Sequence, residues 1–423
     1  MASTYLTRTF GSPSAPGGGT FKWTMSAWVK KTGTGADVGI MTRYVNSGKF
    51  VKIFFNSDDQ LEYAVYNSSY QARYQTSARY RDINSWYHIV IAQDSTLATA
   101  ADRVKIYVNG ELITSFAVNT QIGQNIGGDF NTASAPHQIG AYNAVQYFNG
   151  LISHFHFCDN YQYAASDFGS VDSTTGEWKI NTSPSVSYGT TGFTILKDGN
   201  TITDQSTNSN NFSLGGGTLT KSEDNPSNVF ATMNVLANFG TQWAFFENGS
   251  TYVRSAGTGE AFIASTLGIP ATNGKFYTEV RYTSGGSASN IGISGRMNPT
   301  AAADYVGNKT DSYVYRQNGQ KKSDDVASSY GDSYAPGDLI GIAVDATNSK
   351  IYFSKNGVWQ NSGDPTSGAT GTGAAFTIST TPTDGFYFMA CAKESGSTKN
   401  YYKWNFGNGY FGTTAVSSAG TNA

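Results

Sequence analysis

The dipeptide Asn-Gly recurs along this chain, and twice it ends nearly the same strand: Lys105-Ile-Tyr-Val-Asn-Gly-Glu-Leu112 in the first half and Lys350-Ile-Tyr-Phe-Ser-Lys-Asn-Gly-Val-Trp359 in the second. β-Branched and aromatic residues suit a pleated, half-buried surface, and Asn-Gly tolerates the positive φ angles of a type I′ turn. Each segment therefore predicts a strand running into a tight hairpin. Further pairs at Asn149-Gly150, Asn248-Gly249, Asn273-Gly274, Asn318-Gly319 and Asn408-Gly409 spread the same turn chemistry along the sequence. At 423 residues the chain exceeds the size at which a single core usually keeps growing. The fold class expected is all-β: two tandem antiparallel β-sandwiches.

The segment Phe21–Lys30 shows period two, with Trp23, Met25, Ala27 and Val29 on one side and Thr24, Ser26 and Trp28 on the other. Further strands are expected at Phe50–Phe55, Leu61–Tyr66, Trp86–Ala92, Val104–Val108 and Phe148–Phe157. In the last of these, Leu151, Ser153, Phe155 and Phe157 face one way and Ile152, His154 and His156 the other. The second half predicts strands at Gln242–Phe246, Lys275–Arg281, Asn290–Ser294, Ser312–Arg316, Leu339–Val344, Lys350–Phe353, Gly385–Cys391 and Tyr401–Phe406. No segment holds a 3.6-residue period, so helix is confined to about one turn near Ala164–Gly169. Between the halves the sequence thins into Ser, Thr, Asn and Gly, with one strand at Thr191–Leu196. The division expected is a first domain at 1–171, a connector at 172–228 partly docked on it through Phe193, Ile195 and Phe212, a second domain at 229–412, and a flexible tail at 413–423.

Apolar residues make up 39% and charged residues 14%, against roughly 45–50% and about 25% in ordinary soluble domains. Gly, Ser, Thr and Asn fill the gap, as turn-rich β structure requires. A net charge of −2 with no run of like charge provides no basic field for nucleic acid. The opening residues lack the apolar core of a secretory signal, and no apolar run reaches membrane-spanning length, so neither export by that route nor membrane insertion is expected. The two cysteines, Cys158 and Cys391, fall in different expected domains and predict free buried thiols. A composition typical of extracellular adhesion modules thus meets a chain suited to a reducing cytosol. A virion protein reconciles the two, being assembled in the host cytoplasm and exposed on the particle later.

Four ordered segments, Trp23-Thr-Met-Ser-Ala-Trp28, Trp86-Tyr-His-Ile-Val90, Val104-Lys-Ile-Tyr-Val-Asn-Gly110 and Tyr147-Phe-Asn-Gly-Leu-Ile152, resemble the laminin-G-like, concanavalin-type jelly roll. Gly274-Lys-Phe-Tyr-Thr-Glu-Val280, Ile291-Gly-Ile293, Gly337-Asp-Leu-Ile-Gly-Ile-Ala-Val-Asp345, Lys350–Gly357 and Lys403-Trp-Asn-Phe-Gly407 resemble a SPRY domain. The order of the two, joined through Asp224–Met233, is similar to structural proteins of tailed phages, marine ones among them. The resemblance implies a virion component, either a head-decorating fibre or a tail-associated adhesin. Its implied partners are other virion subunits and a host-surface glycan or protein, and a homo-oligomer is expected. Some laminin-G-like domains hold calcium through loop carboxylates, for which Asp94 or Asp102 would serve, but no contiguous calcium-loop spacing is present and no cofactor is expected.

A glycosidase would need two carboxylates held across a sugar bond, whereas the acidic pairs Asp58-Asp59, Glu223-Asp224 and Asp324-Asp325 are adjacent and turn-like. Adjacent strand residues point to opposite faces, so the expectation is a non-enzymatic protein. A depolymerase of host polysaccharide and a purely architectural cement protein are the alternatives. His154 and His156 would bind a metal only with a third ligand from elsewhere, and they are read as packing among phenylalanines. The richest candidate surface is the run from Tyr66 to Tyr80, in which Tyr66, Tyr70, Arg73, Tyr74, Arg79 and Tyr80 alternate with amides and hydroxyls. Aromatic faces stack on sugar rings, and tyrosine and arginine are also enriched in protein interfaces. Tyr305, Tyr330, Tyr334 and Trp359 form a weaker second set.

Overall fold

Alternation in Lys22–Lys31 sets the pattern of the first sandwich: Trp23, Met25, Ala27 and Val29 are fully buried in one core with Tyr63, Phe130, Phe155 and Phe157. The computed structural model describes residues 3–407 apart from 15–17, 84, 134–135, 198–200, 221, 223, 228, 241–243, 248, 256–259, 287–288, 298–304 and 395–397. The expected tail at 413–423 and the start of the expected strand Gln242–Phe246 lie outside the described residues. The chain divides into two compact units, Met1–Val229 and Phe230–Ala423.

In the first unit an eight-stranded antiparallel sheet runs in the order Phe116–Thr120, Ser69–Thr76, Leu61–Asn67, Lys49–Phe55, Val38–Asn46, Pro136–Ile139, Tyr5–Thr9 and Ser213–Gly216. It faces a six-stranded sheet of Phe193–Ile195, Gly150–Asp159, Lys22–Lys31, Tyr87–Asp94, Val104–Val108 and Glu111–Leu112. The hairpin at Asn109-Gly110 has φ of 50° and 84°, the two positive angles of a type I′ turn. Asn149-Gly150 is different. Gly150 opens a strand, where an added Cβ would lie 2.1 Å from the Lys30 carbonyl oxygen, so here glycine serves close strand approach.

The stretch expected as a connector is part of this sandwich. Phe193–Ile195 adds an edge strand to the smaller sheet and Ser213–Gly216 one to the larger, while Phe193, Ile195 and Phe212 sit in the core. Its far end is tied down by charge. Asp224 accepts from Lys30 Nζ at 2.7 Å and from Trp86 Nε1 at 2.9 Å, and both side chains of the ion pair are fully buried. Lys31 makes a second buried pair with Asp59, at 2.6 Å.

The strand Gly150–Asp159 departs from simple alternation. Its register against Lys22–Lys31 shifts between Ser153 and His156, so His154 and Phe155 together oppose Ala27, and His154 takes φ of 47°. This β-bulge reverses the phase of the strand before it. Ile152 therefore packs against the same core as Phe155 and Phe157, correcting the face expected for it. Beyond the bulge, His156 and Cys158 turn to the outer side of the smaller sheet, where residues 160–190 cover them. The single 3₁₀ turn there, Ala165–Asp167, falls where one was expected. Under this cover Trp178 Nε1 donates to His88 Nδ1 at 2.9 Å, which leaves His88 Nε2 to donate to Ser26 Oγ at 2.8 Å. His156 Nδ1 pairs with the Tyr188 hydroxyl at 2.9 Å. Burial pushes the His88 imidazole down to about 3, and His156 well below its usual range.

The second unit is again all antiparallel. A sheet of Met233–Gly240, Ala261–Pro270, Phe386–Lys393, Ser289–Ser294, Ser312–Arg316, Gln320–Ser323 and Val326–Ser329 packs on one built from Ala244–Glu247, Tyr252–Ser255, Tyr401–Asn405, Lys275–Ser284, Leu339–Asp345, Lys350–Lys355 and Val358–Trp359, with Phe376–Thr377 pairing Lys350–Lys355. Tyr282, Tyr315, Phe353, Tyr402 and Trp404 fill the space between them. Asn356-Gly357 repeats the type I′ geometry at φ 50° and 84°, and Asp324-Asp325 makes a second such turn at 51° and 60°. Cys158 and Cys391 are both free and buried, one in each unit.

Two outcomes follow from these buried polar groups. Asp224→Ala leaves the Lys30 ammonium buried without its carboxylate and is expected to lower the unfolding free energy by about 3–5 kcal/mol, while Lys30→Met combined with Asp224→Leu recovers most of it. Chemical denaturation of the three proteins measures both. The histidines impose an acid-side loss. Unfolded His88 binds a proton near its ordinary pKa of about 6.5, whereas the folded residue does not until about pH 3. The stabilisation is complete above the unfolded value and declines as pH falls through this window, by about 2 kcal/mol at pH 5 for this group alone. Denaturant titrations at pH 7, 6 and 5 should show that decline, and His88→Gln should make it shallower by this group's share, leaving the part due to His156.

Candidate functional site

The richest surface arises where the meander Val38–Asn46, Lys49–Phe55, Leu61–Asn67 and Ser69–Thr76 turns its outer face away from the core. Val51, Ile53, Phe55, Leu61, Tyr63 and Val65 point inward, so the residues between them must point outward. Cross-strand register then sets Tyr44 beside Phe50, Phe50 beside Tyr66, and Tyr66 beside Tyr70. Phe50 and Tyr66 stack at 5.0 Å, Tyr70 meets Tyr66 edge-on at 5.1 Å, and Tyr142 stands edge-on to both Tyr44 and Phe50. Such offset and edge-to-face arrangements hold rings in fixed relation.

Charge is set among these rings. Arg73 forms a two-pronged pair with Glu62, Nε to Oε1 at 2.9 Å and a terminal nitrogen to Oε2 at 3.2 Å, and lies 5.0 Å from the Tyr70 ring centre. The Glu62 hydrogen bond holds the Arg73 guanidinium above its ordinary pKa. Lys52 Nζ sits 3.7 Å from the Phe54 ring centre, 5.2 Å from that of Tyr142 and 5.8 Å from that of Phe50. Burial pulls the Lys52 ammonium below its usual value. The face is a half-buried aromatic platform with Tyr70 the most open ring, 40% exposed.

Of the residues singled out from the sequence, Tyr66, Tyr70 and Arg73 belong to this platform. Tyr74 and Tyr80 do not. Tyr74 lies on the inward phase of Ser69–Thr76, stacked on Tyr63, with its hydroxyl accepting from the Ile122 amide. Tyr80 is buried against Phe55 and Tyr87. Arg79 pairs with Asp58 in an exposed loop. Contributors that went unnoticed in the sequence include Tyr44, Phe50, Lys52 and Tyr142. The signal for two of them is the alternation Phe50-Val-Lys-Ile-Phe-Phe55, whose even positions carry the aromatic and cationic groups.

The second set does not converge. Tyr330 and Tyr334 are core residues packed on Tyr315, and Tyr334 donates to the Ser289 carbonyl at 3.0 Å. Tyr305 is half-buried beside the Gln320–Ser323 strand, held by Lys322 and Asp325 at 2.8 and 2.7 Å. Trp359 lies on the other sheet, edge-on to Tyr277. The two carboxylates considered for calcium are engaged as well, Asp94 with Lys22 and Thr96, Asp102 with Lys105. Among the described residues no cluster of three or more His, Cys, Asp or Glu is placed to hold a metal ion. A cavity of about 710 Å³ in the first unit is walled by Tyr5, Leu6, Ile139, Ile152 and Leu196, and its carboxylate, Asp224, is already taken by Lys30 and Trp86.

Comparison with known proteins matches residues 9–167 to the concanavalin A-like lectin/glucanases superfamily and residues 275–408 to the SPRY domain. Solved structures similar to this chain include the SPRY domain of human HERC1, at 16% identity over 41% of this chain and 96% of that one, with a TM-score of 0.32. A human SPRY domain matches at 14% identity over 39% and 95%, TM-score 0.28. Stonustoxin matches at 12% identity over 42% of this chain and 27% of its own, TM-score 0.30. None of the curated proteins matches. The chain therefore carries a concanavalin-like domain followed by a SPRY domain, a pairing that points to binding or adhesion.

Placement dictates how the tyrosines respond to truncation. Tyr74→Ala and Tyr334→Ala each open a core cavity and are expected to cost about 3–5 kcal/mol. Tyr70→Ala should cost under about 1 kcal/mol, as a surface change does. Urea unfolding of the three variants distinguishes core from platform.

Proposed function

We propose that this protein is a non-enzymatic adhesion component of a tailed-phage virion, a head-decorating fibre or tail-associated adhesin. It would be made in the host cytoplasm and displayed as a homo-oligomer on the particle. In this reading the first unit binds a host-surface glycan through its aromatic platform, and other surfaces meet virion subunits. The single observation that carries the binding role is the platform itself, with Tyr44, Phe50, Tyr66, Tyr70 and Tyr142 grouped around Lys52 and the Arg73–Glu62 pair on one outer sheet face. Rings held by their neighbours stack on a sugar with little loss of side-chain freedom, and the amphipathic charges beside them suit hydroxyl recognition. The lectin-type family match supports the same role. The virion setting rests on the order of the two domains.

Binding without hydrolysis is supported by the state of the nearby carboxylates. Glu62 gives both oxygens to Arg73, and Asp37 gives one to the Ser57 amide and the other to Gln146. Their engagement in these hydrogen bonds favours a binding role over a paired acid and base.

Paired substitution of the open rings tests the reading. Tyr66→Ala with Tyr70→Ala is expected to weaken binding to any glycan recognised on an array by about tenfold or more, with the unfolding midpoint nearly unchanged. Unaltered binding would remove the platform from the function. Reducing-sugar release from host envelope material would overturn the non-enzymatic role, and absence of the chain from purified virions would overturn the virion setting.

A further inference from the structure

The two cations of the platform are in different states. Lys52, Ala64 and Arg73 lie in one row across three neighbouring strands, Lys52 opposite Ala64 and Ala64 opposite Arg73. The small alanine lets both long side chains fold over the sheet. Arg73 is neutralised by its two-pronged contact with Glu62. Lys52 has only rings around its ammonium, with Phe54, Tyr142 and Phe50 at 3.7, 5.2 and 5.8 Å. Among the described residues no carboxylate lies within salt-bridge distance of it. The two that act on it from further off, Asp37 and Glu62, have both oxygens engaged elsewhere.

A half-buried ammonium whose protein contacts are ring faces alone keeps donors open to a ligand, and the rings offset its partial burial only in part. Burial and the neighbouring Arg73 charge both work against its ionised form. An anion placed at Lys52 would supply what this site lacks, and the geometry around it states what that anion is attached to. Tyr66 stacks on Phe50, a ring of the Lys52 cage, and Tyr70 extends from Tyr66. A ligand with its charged group on Lys52 therefore has ring faces beside it for the rest of its body.

We propose that the platform selects acidic saccharides, seating a sugar carboxylate on the Lys52 ammonium and the adjoining sugar rings against Tyr66 and Tyr70. The inference rests on the glycan-binding reading above and narrows it to carboxylated glycans such as uronates. A hydrogen bond between two ionised groups is the stronger kind, and its loss at a partly buried site typically costs tenfold or more.

The test uses the full chain on an array of uronate-containing oligosaccharides, each printed beside its carboxyl-reduced neutral counterpart. Lys52→Met, which keeps an unbranched side chain of similar length without the charge, and Lys52→Arg, which keeps the charge, are run alongside, with thermal unfolding as a check on the fold. The expected result is that carboxylated glycans are bound, that carboxyl reduction lowers binding about tenfold or more, that Lys52→Met erases this preference, and that Lys52→Arg retains it. Equal binding of acidic and neutral members, or a preference that survives in Lys52→Met, overturns the selection by Lys52 while leaving glycan binding in place. Failure of the parent protein to bind any saccharide overturns glycan binding itself, and the selection falls with it.

Discussion

Burial of one face of the meander is the constraint on which the candidate site depends. Val51, Ile53 and Phe55 on one strand and Leu61, Tyr63 and Val65 on the next are sealed against the smaller sheet. A one-residue slip would carry all of them to solvent and bring Phe50, Lys52, Phe54 and Glu62 inside, including two charges. The hydrophobic cost of that exchange locks the register. Locked register in turn decides which outward residues meet: Phe50 with Tyr66, Lys52 with Ala64, Phe54 with Glu62. The backbone that carries the platform is therefore fixed by the core beneath it, although the contacts among its own rings are individually small.

The smaller sheet solves a different problem on its outer face. There Ser26, His88, His156 and Lys30 point away from the core and are covered by later sequence rather than left to water. Trp178 and Tyr188 satisfy the two imidazoles, and Asp224 satisfies Lys30. A buried ion pair contributes little net stability compared with apolar residues of the same shape, but breaking it is expensive. Its consequence here is placement. Through this pair and the Trp86 hydrogen bond, the segment that supplies Asp224 is held to the strands Lys22–Lys31 and Tyr87–Asp94 near their ends.

Much of this was legible from residue order. The inward set Trp23, Met25, Ala27 and Val29 follows from period two, and both long Asn-Gly hairpins have the positive φ pair that their sequence requires. Composition misled where it replaced periodicity. The run from Tyr66 to Tyr80 reads as one tyrosine-rich surface, yet it crosses a turn, a register shift between Val65 and Tyr66 and a loop, so Tyr70, of the same parity as Tyr74, faces out with Arg73 while Tyr74 and Tyr80 face in. Tyr330 and Tyr334, read as loop residues, are large enough to fill the core of the second sandwich from its edge. Tyr44 joins the platform across the hairpin to Phe50, whereas Tyr142 reaches it from a turn distant in sequence, which local patterns do not encode. The bulge at His154 leaves no mark in the alternation of apolar residues, because Phe155 and Phe157 continue the pattern on the far side of the extra residue.

The second unit offers an internal comparison for Lys52. Lys322 is also a lysine on a sheet strand beside an aromatic ring, 4.8 Å from the Tyr305 ring centre. Burial opposes its charge too, yet hydrogen bonds to Asp325 at 2.7 Å, Glu394 at 2.8 Å and the Tyr305 hydroxyl at 2.8 Å reverse the balance and raise it above the ordinary lysine value. The fold thus completes one lysine with two carboxylates and a phenol. At Lys52 it provides rings alone, and the net shift is downward. Where a chain has satisfied a buried cation as thoroughly as Lys322, the residue is explained by the fold. Lys52 is the one of these two lysines that meets no carboxylate, and its ring contacts run through Phe50 and Tyr66 to Tyr70, the most open ring of the platform.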